Sequence, residues 1–84
     1  MGKYPARQRA IVAALRAARE AAGLSQRALS EALGESVTHI HLIEVLRRDV
    51  SVGEFIAIAE ALKVDPRKLL ESALDMERAH GRRK

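Results

Sequence analysis

The sequence predicts an all-α fold, five short helices packed as one compact domain. Three observations carry this expectation. Helix start and stop signals recur every ten to fifteen residues along the 84-residue chain. No run shows the strict apolar–polar alternation of a half-buried strand. The connections between the helical segments are short, which suits a bundle.

The first helix is expected to begin at Pro5, whose fixed φ and missing N–H suit a first turn, and to end near Gly23. Ile11, Leu15, Ala18 and Ala22 are spaced for one buried stripe. Ser25 is a natural N-cap for the second helix, which sends Leu29 and Leu33 inward. Gly34 suits the left-handed position that stops it. Ser30, small and in mid-helix, permits close approach of a neighbour.

The third helix is expected over residues 36–46, with Ser36 as its cap. Ser51-Val52-Gly53-Glu54 has capping-box spacing and opens a fourth helix striped by Phe55, Ile58, Ala59 and Leu62. Asp65-Pro66, a cap followed by a first-turn proline, opens a fifth carrying Leu69, Leu70, Ala73 and Leu74. The domain is therefore expected over 5–77, with 1–4 and 78–84 as flexible basic arms.

A single domain of this length buries only roughly 60–65% of its unfolded surface, so tight helix packing or a partner chain is needed. There is no cysteine, which excludes disulfides and thiolate metal sites and fits a reducing, cytoplasmic setting. Neither a secretory signal nor a membrane-length apolar run is expected. Formal net charge is +4, unevenly spread. Lys3, Arg7, Arg9, Arg16 and Arg19 precede the first acid, Arg47 and Arg48 form an isolated pair, and the tail is basic. This pattern suggests a polyanionic partner, although it also serves solubility.

Other chemistry finds little support. His39 and His41 lie two apart, about 200° around a helix, so they cannot hold one metal ion from the same side. His80 falls in the tail. The serines are accounted for as caps or small packing residues, and no glycine-rich phosphate loop exists. No cofactor, metal or catalytic activity is expected.

The third helix poses a question, because it is apolar on two sides. At about 100° per residue, Ile40 and Ile43 define the inward face, with His39 and Leu46 beside it. Val37, Thr38, His41, Leu42 and Val45 fall on the outward side. Only Gly34 and Glu35 separate helices two and three in this reading, so the pair crosses steeply, as in a helix-turn-helix unit. Taken alone, such a turn also occurs in ordinary bundles.

The run Gly23-Leu24-Ser25-Gln26, with Leu29, Leu33-Gly34, Ser36, Ile40 and Ile43-Glu44 at their spacings, resembles the Cro/XRE, lambda-repressor-like, helix-turn-helix family. So does Ala59-Glu60-Ala61-Leu62-Lys63-Val64-Asp65-Pro66 with Leu69-Leu70, and the likeness runs from about Ile11 to Leu70. The resemblance implies a dimeric regulator of bacterial or phage type that inserts helix 36–46 into the major groove of an inverted-repeat operator in double-stranded DNA. Ser36, Val37, Thr38, His41 and Leu42 would then read bases. Ser25, Gln26 and Arg27, near a helix start that offers unpaired N–H groups, and Arg47 and Arg48 would meet the backbone. Arg19 and Glu44 match an ion pair that braces the reading helix in relatives.

A homodimer is expected, with Leu70, Ala73, Leu74 and Met76 as its surface, and the N-terminal residues Lys3, Tyr4, Arg7 and Arg9 following the DNA backbone. The sequence departs from the family at Leu46, where glycine is common, and at Val50, where proline is frequent. Leu46 is expected to let helix three run longer. Methyl groups also replace the usual polar readers. They could pack on thymine methyls, or they could form a protein-binding face, as in an antitoxin that grips a toxin.

Overall fold

The computed structural model describes residues 4–81 and contains five helices: α1 Pro5–Ala21, α2 Gln26–Ala32, α3 His39–Glu44, α4 Val52–Ala61 and α5 Pro66–Gly81. The fold is all-α, as the sequence predicts. Helix α5 continues to Gly81, beyond Glu77, into a stretch expected to be an arm. Of the other arm residues, 1–3 and 82–84 lie outside the described residues.

Local chemistry explains most boundaries. Pro5 sits at the first position of α1. The Ser25 hydroxyl accepts from the Ala28 N–H to start α2. At α4 the Ser51 hydroxyl accepts from the Glu54 N–H while the Glu54 carboxylate accepts from the Ser51 N–H, a complete capping box. The Asp65 carboxylate accepts from the Arg67 N–H at the start of α5, 2.9 Å away.

Helices α1 to α4 all stop in one way. A left-handed residue follows each C-cap, and the next N–H bonds back to a carbonyl of the last turn. These bonds run Leu24 to Arg19, Glu35 to Ser30, Arg47 to Leu42 and Val64 to Ala59. The left-handed residues are Gly23 and Gly34, at φ 74° and 71°, but then Leu46 and Lys63, at 64° and 61°. A Cβ makes that conformation costly, by roughly 1–2 kcal/mol. Leu46 is partly buried against the core, which offsets its strain, whereas Lys63 is exposed.

Two corrections concern α3. It does not run on through Leu46: it ends at Glu44, and Leu46 takes the left-handed turn that a glycine usually takes. Nor does it start at Ser36. Residues 37–38 form a turn, His39 begins the helix, and Thr38 gives no side-chain cap. The cap comes from another helix, because the fully buried Ser30 hydroxyl of α2 accepts from the Ile40 N–H at 3.1 Å.

The core draws on all five helices: Val12, Ala14 and Leu15; Leu29; Ile40 and Ile43; Phe55, Ile58, Ala59 and Leu62; Leu69 and Ala73. Ala22, expected in the α1 stripe, is exposed, while Ala10, Val12 and Ala14 are buried. Ala22 is the C-cap, beyond the last helical residue, while the α1–α5 packing, the most extensive helix contact among the described residues, covers a second side of α1. That packing also corrects the expected dimer surface. Ala73 is 3% exposed and belongs to the core, so a second chain cannot use it, whereas Leu70, Leu74 and Met76 remain exposed.

Candidate nucleic-acid interface

The α2–turn–α3 unit is anchored from beneath. Ile40 and Ile43 are buried with Leu29, and the Ser30–Ile40 hydrogen bond ties the two helices together. The opposite flank is open: Ser36, Val37, Thr38, His41, Leu42 and Val45 are all exposed. Val37, Leu42 and Val45 show 48%, 37% and 46% of their surface, large values for apolar side chains packed within a few residues of one another.

A polar chain runs from this flank into the protein. Arg19, only 8% exposed, holds Glu44 through two hydrogen bonds, Nε to Oε2 at 2.7 Å and NH2 to Oε1 at 3.0 Å. Its NH1 donates to the Leu24 carbonyl at 2.7 Å, so the guanidinium also closes the α1–α2 turn. Gln26 Nε2 donates to Glu44 Oε1 at 2.8 Å, and Gln26 Oε1 lies 3.3 Å from His41 Nδ1. Burial alone would push the Glu44 carboxyl upward, but the hydrogen bonds from Arg19 and Gln26 and the charges of Arg19 and Arg16 outweigh it and hold it below the usual range. The bond to Glu44, against the pull of burial, raises Arg19.

Glu54 forms a second junction. Beyond capping α4, its Oε2 lies 3.0 Å from His39 Nε2 and 3.6 Å from Arg48 NH2. One carboxylate thus joins the start of α3, the α3–α4 loop and the start of α4. Desolvation opposes its charge, yet the Ser51 N–H, His39 and Arg48 together hold Glu54 below the ordinary glutamate range.

The remaining site residues fall as follows. Ser25 is engaged as a cap, and Gln26 is half-buried with its amide committed to Glu44 and His41. Arg27 is exposed and pairs with Glu31 at 3.3 Å. Arg47 and Arg48 are exposed in the loop after α3. Arg7 pairs with Glu77 at 3.0 Å across the α1–α5 contact and stacks near the Tyr4 ring, so it is part of a helix rather than of an arm.

Four contacts are not legible in the sequence: Ser30 with Ile40, His39 with Glu54, Gln26 with Glu44, and Gln26 with His41. Each joins residues at least ten positions apart, where helical periodicity carries no signal. Capping-box spacing did single out Glu54, but only for its local bond to Ser51.

An α2–turn–α3 unit with a buried inner face, a free outer face and a basic loop defines a helix-turn-helix domain of the DNA-binding class. The helix-turn-helix family model matches residues 15–69, and the chain belongs to that family, the Cro/C1 type. Comparison with curated proteins and with solved structures found no match. Among the described residues no helix is long and apolar enough to cross a membrane, and no three metal-ligating side chains cluster.

Proposed function

We propose that the protein is a sequence-specific transcriptional regulator that binds operator DNA as a homodimer and represses by occupying it. The observation that carries this reading is the open flank of α3. Thr38, at the N-cap, and His41 and Leu42, on the helix itself, are exposed, while the other side of the helix is locked into the core. An α-helix with its side chains is about 10–12 Å across, which matches the roughly 12 Å width of the major groove.

In this reading Ser36, Val37, Thr38, His41 and Leu42 face base edges, with Val37 and Leu42 against thymine methyls. Ser25, Gln26, Arg27, Arg47 and Arg48 lie toward phosphates. Leu70, Leu74 and Met76, exposed on α5, are the candidate dimer contacts. Two copies would place two reading helices about 34 Å apart, one turn of the duplex.

A second reading has its own support. The exposed Val37, Leu42 and Val45 form an apolar strip that also suits a protein partner, as in an antitoxin that covers a toxin. Selection of bound duplexes from a random pool, followed by salt titration, separates the two. The regulator enriches an inverted repeat, and its log affinity falls by about 0.9 per phosphate contacted for each log unit of salt. Enrichment of no sequence would leave the interaction module as the better account.

A further inference from the structure

Each link of the chain Arg19–Glu44–Gln26–His41 has only one allowed polarity. Glu44 grips the Arg19 guanidinium with both oxygens, at 2.7 and 3.0 Å, so it is ionised and can only accept hydrogen bonds. Gln26 approaches Glu44 Oε1 to 2.8 Å, and only its NH2 end can do so without repulsion. Its carbonyl oxygen is thereby turned toward His41 Nδ1, 3.3 Å away. An amide oxygen cannot donate, so the proton of that contact resides on Nδ1. A neutral imidazole carries one N–H, which leaves Nε2 as a bare acceptor on the opposite edge of the ring. His41 is exposed, and nothing among the described residues bonds to Nε2.

We propose that His41 is a specificity-determining residue that selects a base bearing an amino group, adenine or cytosine, and that Gln26 is the positioning residue that sets its polarity. In the major groove adenine offers N6–H2 and cytosine N4–H2, the only base donors there. Guanine presents O6 and N7 and thymine presents O4, all acceptors. A histidine free to choose its tautomer could serve either set. The relay removes the choice, because the buried ion pair fixes the glutamine and the glutamine fixes the ring. This rests on α3 being the reading helix.

The test has one arm without DNA. Long-range proton–nitrogen NMR of the whole protein in alkaline buffer should show His41 with a protonated Nδ1 and an unprotonated Nε2. In Gln26→Ala the lock is removed, and the ring should move toward the Nε2–H form that free histidine favours. A protonated Nε2 in the unaltered protein overturns the relay. So does an identical pattern in Gln26→Ala.

The other arm is duplex selection with the unaltered protein and with His41→Ala, an exposed position that the fold tolerates. At one pair of the selected operator, replacing the adenine or cytosine by an analogue that lacks the exocyclic amino group should weaken binding roughly tenfold in the unaltered protein and change nothing in His41→Ala. If no amino group can be deleted with that His41-dependent loss, the assignment to His41 is overturned. If the unaltered protein selects no sequence at all, the reading of α3 itself fails, a result distinct from a wrong tautomer.

Discussion

Replacing Glu44 with alanine removes both hydrogen bonds from Arg19 Nε and NH2 to Glu44, together with the acceptor of Gln26 Nε2. Arg19 is 8% exposed and keeps only the Leu24 carbonyl as a strong partner. The guanidinium cannot deprotonate, so its charge stays in a site where only the exposed Glu20, 3.9 Å away, still opposes it. Breaking such a buried pair costs about 3–5 kcal/mol. A domain of this length has a total stability of about 4–13 kcal/mol, so the loss is a large share of the whole. At about 4–8 °C per kcal/mol, the melting temperature should fall by more than about 10 °C, as read by circular dichroism. Most of that cost comes from the stranded charge rather than from the pair itself. Arg19→Met combined with Glu44→Leu should therefore recover much of what Glu44→Ala loses. An unchanged melting temperature for Glu44→Ala refutes the reasoning, and so does a double variant no more stable than the single one.

Three further outcomes follow from the same geometry. Lys63 is exposed at φ 61°, so Lys63→Gly should stabilise the protein by about 1 kcal/mol, read as a higher urea midpoint, whereas Leu46→Gly should gain less because it also loses core contact. Ser30→Ala leaves the buried Ile40 N–H without an acceptor and should cost about 1–3 kcal/mol in urea unfolding. Glu44, Glu54 and Asp65 are all held below their ordinary values in the folded protein, Asp65 chiefly by the Arg67 backbone N–H. Their stabilising contribution is present above the unfolded carboxylate range, about pH 4–4.5, and is lost as pH falls through the depressed folded values. Unfolding free energy measured against pH should be flat above about pH 5 and decline in acid. A decline on the alkaline side of that range instead would contradict the assignment.

The sequence revealed elements wherever the chemistry was local. Ser25, Ser51 with Glu54, Asp65-Pro66 and Gly34 each act on neighbours within a turn, and the structure places a helix boundary at each. Helix α4, with one apolar stripe and a capping box, is buried along the predicted residues Phe55, Ile58, Ala59 and Leu62. Helix α3 was less legible at both ends, because its cap is the Ser30 hydroxyl of another helix and its stop is a leucine in a glycine's conformation. Alanine blurred α1 and α5. A methyl group marks neither face, so the pattern puts Ala22 in the buried stripe and Ala73 on a surface open to a second chain, whereas the structure exposes the first and buries the second. In the candidate site, the exposure of Thr38, His41 and Leu42 follows directly from the 3.6-residue period about Ile40 and Ile43. The commitment of Gln26 to Glu44 does not, since it depends on how α2 crosses α3.

The account stands on the outer flank of α3 meeting base edges, and Leu42, exposed at 37% of its surface and outside the core, is its most direct test. Duplex selection with Leu42→Gln beside the unaltered protein should replace a thymine-rich position of the operator with one that glutamine can bond, such as adenine, while the other positions stay as they were. Identical operators from the two proteins would place the reading surface elsewhere.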